Sequence, residues 1–375
     1  MKSNIVLLFI AAGLTFMSCK KKEKEELQIP ENYDGQSFAA NTLIQAALLN
    51  QLKNITDAMK AGRTQGVVVE KQTLDNLFIA GNPSLANEIT AYFKGRLEGT
   101  GGWFDELAKS SGGTWTPQAP DGTSEGGVYG GYLFDENGVE MEQLGEKGQF
   151  GATLYNHAIK LMSGTITPAT VDQLLAIYGA KPQFANSGSN NVDASIRDVG
   201  MANYAARRDK NDGLGMYSQM KREFIKLQAY VKAGEDYNVE RNQTLKNIQL
   251  LWEKINAATV INYCHSPIAS LSGTNPTDAQ VGAALHAIAE GIGFIHGFKT
   301  INPNFRKITD AQIDNILVLL NAPANGVATT YLFATSPATE LQKLQQIITT
   351  LQSIYGFTNQ EIEDFKFNWV AVQGR

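Results

Sequence analysis

From Ser37 onward the chain repeats its apolar residues at helical spacing. Phe38, Leu43, Leu48, Leu52, Ile55 and Met59 form one stripe that ends near Gly62. A second helix is predicted over 70–80. A third runs from Pro83 through Tyr92, Phe93 and Leu97, with Pro83 and Glu88 suited to a helix entry. The period resumes near Glu140 and predicts helices at 140–163, 167–179, 193–208, 214–234, 239–263, 277–299, 309–321, 336–355 and 358–367. Start signals are explicit at Thr167-Pro168, at Thr277 and Thr309 before aspartates, and at Ser336-Pro337 with Glu340 following. The pattern predicts an all-α fold over residues 37–375, with antiparallel helical bundles of about ten helices. Helices 140–163 and 277–299 each gather Gly, Ala and aromatic residues around a histidine, a thin similarity between two bundle halves.

Residues 99–139 break the period. Eleven glycines crowd this segment together with Pro117 and Pro120, so it reads as one long Gly-rich loop insertion. Tyr129, Tyr132, Leu133 and Phe134, followed by Asn137-Gly138, predict a small hairpin that covers the domain. Trp103 and Trp115 are too costly to leave in water, which predicts a docked segment.

The helix over 277–299 is the most unusual in the chain. Gly282, His286, Glu290, Gly293 and Gly297 fall at steps of four, four, three and four, on one narrow face. Each glycine inside a helix costs about 1 kcal/mol relative to Ala, so this line of glycines predicts a close backbone approach, most often by another helix. His286 and Glu290 can reach a common metal ion or polar ligand atom, or simply form an intrahelical pair. A metal would need partners from other helices. Glu142, Glu146 and His157 on helix 140–163 are the candidates if the two helices pack side by side. Iron, zinc and haem are the cofactors such a set would suit. Otherwise Glu142 and Glu146 face water in a helix's first turns, where acids are common. His296 is turned well away from the His286 face, and His265 precedes Pro267 at a predicted helix end. HExxH, Walker, GxGxxG and CxxCH patterns are absent from the sequence, and there is no GxSxG elbow: Gly122-Thr123-Ser124-Glu125-Gly126 falls inside the Gly-rich loop.

The first residues add an address. Lys2 precedes an apolar run from Ile5 to Phe16 that is too short for a permanent membrane span. The run closes on Phe16-Met17-Ser18-Cys19, similar to a bacterial lipobox with Phe16 where Leu is common. Residues 1–18 then read as a signal peptide and Cys19 as the lipidation site. Residues 19–36 are charged, apolar-poor and broken by Pro30, which predicts a flexible tether. Lys20, Lys21 and Lys22 either rest on anionic headgroups or are simply solvated. The expected location is the outer membrane, lipid-anchored, facing the periplasm or the cell surface. With Cys19 lipidated, Cys264 has no intramolecular partner and reads as a small buried hydrophobe. A formal charge of −5 gives no electrostatic case for nucleic acid as a partner.

Glu146-Lys147-Gly148-Gln149-Phe150-Gly151-Ala152-Thr153-Leu154-Tyr155 and Leu285 to Ile295 together resemble the envelope lipoprotein family catalogued as domain of unknown function 4856. The resemblance covers residues 36 to the end and implies a lipobox, a tether and a helical domain. Members tend to be encoded beside imelysin-like lipoproteins and TonB-dependent receptors, which implies a role around metal or nutrient uptake and an outer-membrane receptor as partner. Many members carry an acidic Trp-Asp-Glu-Ala-Phe-Gly segment, whereas this chain has Leu174-Leu175-Ala176-Ile177-Tyr178-Gly179. Imelysin-type proteins carry His-x-x-Glu, and here the spacing is His286-x-x-x-Glu290. The leading expectation is a non-enzymatic binding component. The alternatives are an imelysin-like metal-dependent peptidase, with Glu290 or Glu146 as general base, and a structural or adhesin-like surface protein using the loop 99–139.

Overall fold

The computed structural model describes residues 26–375; the signal-peptide and lipidation readings, Cys19 among them, lie outside the described residues. The fold is helical, at 61% helix with one two-stranded sheet among the described residues. Its centre is the long helix Asn238–Leu271, which packs against Met216–Ala233, Asp278–His296 and Pro337–Tyr355. The glycine-lined helix Asp278–His296 in turn lies on Met141–Gln149, and that helix meets Leu43–Lys60 and Trp103–Ser110. Trp252 is fully buried between Tyr155 and Tyr178, with ring centroids 5.2 and 5.1 Å away. Cys264 is buried and unpaired, as its apolar surroundings predict.

Threonine caps act where the sequence places them. Thr167, Thr277 and Thr309 each accept from the backbone N–H three residues on, while Ser336 makes no side-chain cap bond. Several boundaries differ from the periodic reading. The third predicted helix is two, Leu85–Glu88 and Ala91–Leu97. The stretch 193–199 is not helical, and the helix there is Gly200–Arg207. The helix expected to stop at 263 runs to Leu271 with Pro267 inside it, where the ring removes one ladder N–H and crowds the carbonyl four residues back. Within the loop segment, Trp103–Ser110 forms a helix that buries Phe104 and Leu107. The tether's last residues are fixed rather than free: the Tyr33 hydroxyl donates to Asp172 at 2.6 Å, and Lys232 pairs with Asp34 at 2.6 Å.

The predicted helix 140–163 contains a π-helical stretch, Phe150–Tyr155, between Met141–Gln149 and Asn156–Met162. The Asn156 N–H reaches back to the Gly151 carbonyl, five residues earlier. That frees the Ala152 carbonyl, which accepts from the Thr90 N–H at 2.9 Å. One bond thus explains both the π-turn and the helix break at residue 90.

The predicted hairpin is present. Strands β1 (Gly126–Tyr129) and β2 (Tyr132–Asp135) pair antiparallel, with Tyr129 opposite Tyr132. Gly130 and Gly131 form the turn, both at positive φ, the conformation a two-residue hairpin loop demands. Trp115 is buried and packs on Phe134, so the segment is docked.

Candidate functional site

The glycine line is answered by backbone on every side. A Cβ on Gly282 would meet Gly130 of the hairpin turn at 2.9 Å. One on Gly293 would meet the Gln143 carbonyl at 2.6 Å, and one on Gly297 the Gly148 carbonyl at 2.2 Å. Helix Met141–Gln149 therefore lies directly against Asp278–His296, the condition the sequence left open, and carries its charged residues to His286 and Glu290.

What meets His286 first is Glu140, at the N-cap position of that helix, where its side chain makes no cap bond. Its carboxylate is fully buried and lies 2.5 Å from His286 Nδ1. His286 Nε2 faces Glu290 at 3.5 Å, and the Tyr263 hydroxyl donates to Glu290 at 2.9 Å. The Tyr132 ring from the hairpin stacks on the imidazole, with centroids 4.3 Å apart. Arg63, at the end of the turn Ala61–Arg63, reaches Glu140 at 2.8 Å and Glu142 at 2.5 Å. Neither contact is aligned along an N–H bond, so Glu140 Oε1 and Glu142 Oε2 are ion-paired without being hydrogen-bonded. Lys147 is buried between Glu146 at 2.8 Å and Glu290 at 3.5 Å.

Burial dominates the proton equilibria. It pushes the Glu140 carboxyl up to about 7 against the pull of Arg63. It pushes Glu142 up to about 8, with the neighbouring Glu140 charge adding to the effect. Burial lowers His286 to about 4, although Glu290 opposes it, so the imidazole is neutral at pH 7. Burial also disfavours the Lys147 ammonium, but Glu146, Tyr204 and Glu290 outweigh it and the pKa is raised. Burial would raise Glu146, yet Lys147 and Lys60 hold it below the usual carboxylate range.

His286, Glu290, Glu146 and Lys147 line a water-open cleft of about 450 Å³. Helix Gly200–Arg207 forms the opposing wall with Tyr204 and Arg207, and Arg197 and Asp198 lead into it. Among the predicted candidates, His286, Glu290, Glu146 and Glu142 come together here. His157 does not: it sits with Glu88 and Gln45, each at 3.0 Å. His296 is buried against Tyr92 and Trp103, away from the cleft.

The set does not fit a resident metal. Arg63 and Lys147 already neutralise the carboxylates around His286, and among the described residues no three His, Cys, Asp or Glu side chains are arranged to hold an ion. The charged lining also offers little apolar wall to a haem plane.

Glu140, Arg63, Tyr132 and Arg207 escape sequence reasoning as site residues. Glu140 carries one signal, an acid at the first position of a helix that otherwise buries its face. Arg63, Tyr132 and Arg207 are brought in from distant segments by packing alone. Comparison with known protein families, with curated proteins and with solved structures returns no match.

Proposed function

We propose that this chain is a lipid-anchored envelope protein that binds a small solute in the cleft between helices Met141–Gln149, Gly200–Arg207 and Asp278–His296. In this reading Cys19 carries the lipid, the outer membrane is the location, and the protein serves metal or nutrient uptake beside an outer-membrane receptor. One observation carries the binding reading. Charged groups of both signs, several of them buried, converge on an open recess large enough for a metabolite. Burying such groups is costly, and a fold built only for stability would fill the same volume with apolar side chains. The sequence resemblance supplies the uptake setting. Among the described residues no helix is long and apolar enough to cross a membrane.

The test is a thermal-shift screen of the full chain against a library of small metabolites, run beside His286→Asn and Glu290→Gln. The expected result is at least one solute that raises the wild-type Tm and stabilises the two variants less. Solutes that shift all three proteins equally, or none at all, contradict the reading.

A further inference from the structure

We infer that the solute is a small organic anion bearing carboxylate or phosphate groups, and that Arg207 is its principal grip. This rests on the cleft being the binding site and assigns the chemistry of its occupant.

The argument is one of charges already committed and charges left over. The three acids that line the cleft are engaged: Asp198 accepts from the Ser187 N–H and the Tyr217 hydroxyl. Glu290 faces Lys147 and accepts from Tyr263, and Glu146 pairs with Lys147 at 2.8 Å. A cationic solute would have to displace a buried lysine to reach either glutamate. The cations are less fully engaged. Arg63 is held by Glu140 and Glu142, and Arg197 donates to the Val192 carbonyl and to Asn190. Lys60 only approaches its carboxylates, at 3.7 and 3.9 Å, and is partly exposed. The Arg207 side chain makes no ion pair and no hydrogen bond among the described residues; Glu290 and Glu146 act on it only at longer range, and its guanidinium rests over the Tyr204 ring at 5.0 Å. It is half-buried at the cleft wall.

A guanidinium carries five N–H donors in a planar fork, and those of Arg207 are open to the cleft's water with no protein acceptor among the described residues. The partner matching that fork is a carboxylate or phosphate, gripped by two parallel bonds. Tyr204 holds the plane in place, so little ordering is left to the moment of binding. Lys60 at the rim supplies longer-range attraction for the same sign of charge. Neutral His286, beside Glu290, provides a polar group for the uncharged part of the solute.

Isothermal titration of the full chain at low ionic strength, with succinate, citrate and inorganic phosphate as separate probes, tests this directly. Glucose and putrescine serve as neutral and cationic comparators. At least one anion is expected to bind with submillimolar Kd, and raised salt should weaken it. Arg207→Gln should weaken it by about tenfold or more while the Tm stays put, and Arg207→Lys should recover part of the loss. Succinate or citrate binding without phosphate assigns a carboxylate, and the reverse assigns a phosphate. An anion affinity unchanged in Arg207→Gln overturns the inference. If glucose or putrescine binds and the anions do not, the anion assignment falls and the cleft stands as a binding site. If no probe binds while the metabolite screen yields a ligand, the inference again falls alone; if that screen is also empty, both fall.

Discussion

Gly297→Ala destabilises the protein by ~3 kcal/mol or more, the upper end for overpacking, because the added methyl has backbone on its far side. At Gly297 it would meet the Gly148 carbonyl oxygen at 2.2 Å and the Gly148 Cα at 3.0 Å. Gly148 cannot retreat, since its own Cβ position lies 1.9 Å from the Phe93 ring. Nor can the neighbouring turn, where a Cβ on Gly151 would meet the Gly297 carbonyl at 2.7 Å. The contrast is Gly291 on the same helix, where a Cβ would find only Tyr263 at 3.7 Å. Gly291→Ala should therefore stabilise by about 0.5–1 kcal/mol through helix propensity. Urea unfolding of both variants checks the pair. Equal effects would mean that the helix crossing is not as tight as the glycine line demands.

Arg63→Met is the second large effect. Glu140 and Glu142 have 0% and 1% of their surface exposed, and Arg63 is the cation that both touch most closely. Removing one partner from a buried ionic cluster typically costs about 3–5 kcal/mol. The loss should depend on pH in a definite sense. Both carboxyls are raised in the folded protein, to about 7 and about 8, from an ordinary 4.5. The folded state therefore binds these protons more tightly than the unfolded state, and the stability they contribute is present at pH 4.5 and lost as pH rises through 7–8. Without Arg63 to offset the charges, that loss grows. Arg63→Met should be far less harmful at pH 5 than at pH 9, and adding Glu142→Gln should recover part of the deficit at pH 9. Thermal unfolding across this range measures it; a penalty independent of pH would show that Arg63 acts through packing.

How much was legible follows from which contacts are local. The amphipathic stripes, the threonine caps and the hairpin all depend on residues a few positions apart, and the sequence predicts them. The close approach on Gly282, Gly293 and Gly297 was legible too, because only backbone contact justifies so many glycines on one helical face. The π-turn at Phe150–Tyr155 was not, since its cause is a bond from Thr90, about 60 residues away in sequence. The helix Trp103–Ser110 was hidden by the glycines on either side of it. Half of the site was visible as His286 and Glu290 with the acids of the facing helix. Arg63 and Arg207 were invisible for a plain reason: nothing in their own neighbourhoods distinguishes them from surface residues. Tyr132 was legible as a hairpin residue, but only the folded chain stacks it on the histidine and brings Arg63 and Arg207 to the same cleft.

The account centres on a cleft that captures a solute, and the most direct measurement asks what the protein carries. The full chain would be purified from its own envelope and denatured, and the released small molecules identified by mass spectrometry beside an Arg207→Gln, Glu290→Gln double variant. The prediction is a single compound, near stoichiometric from the wild type and depleted from the variant. Release of nothing, or of the same compounds in equal amounts from both proteins, would contradict it.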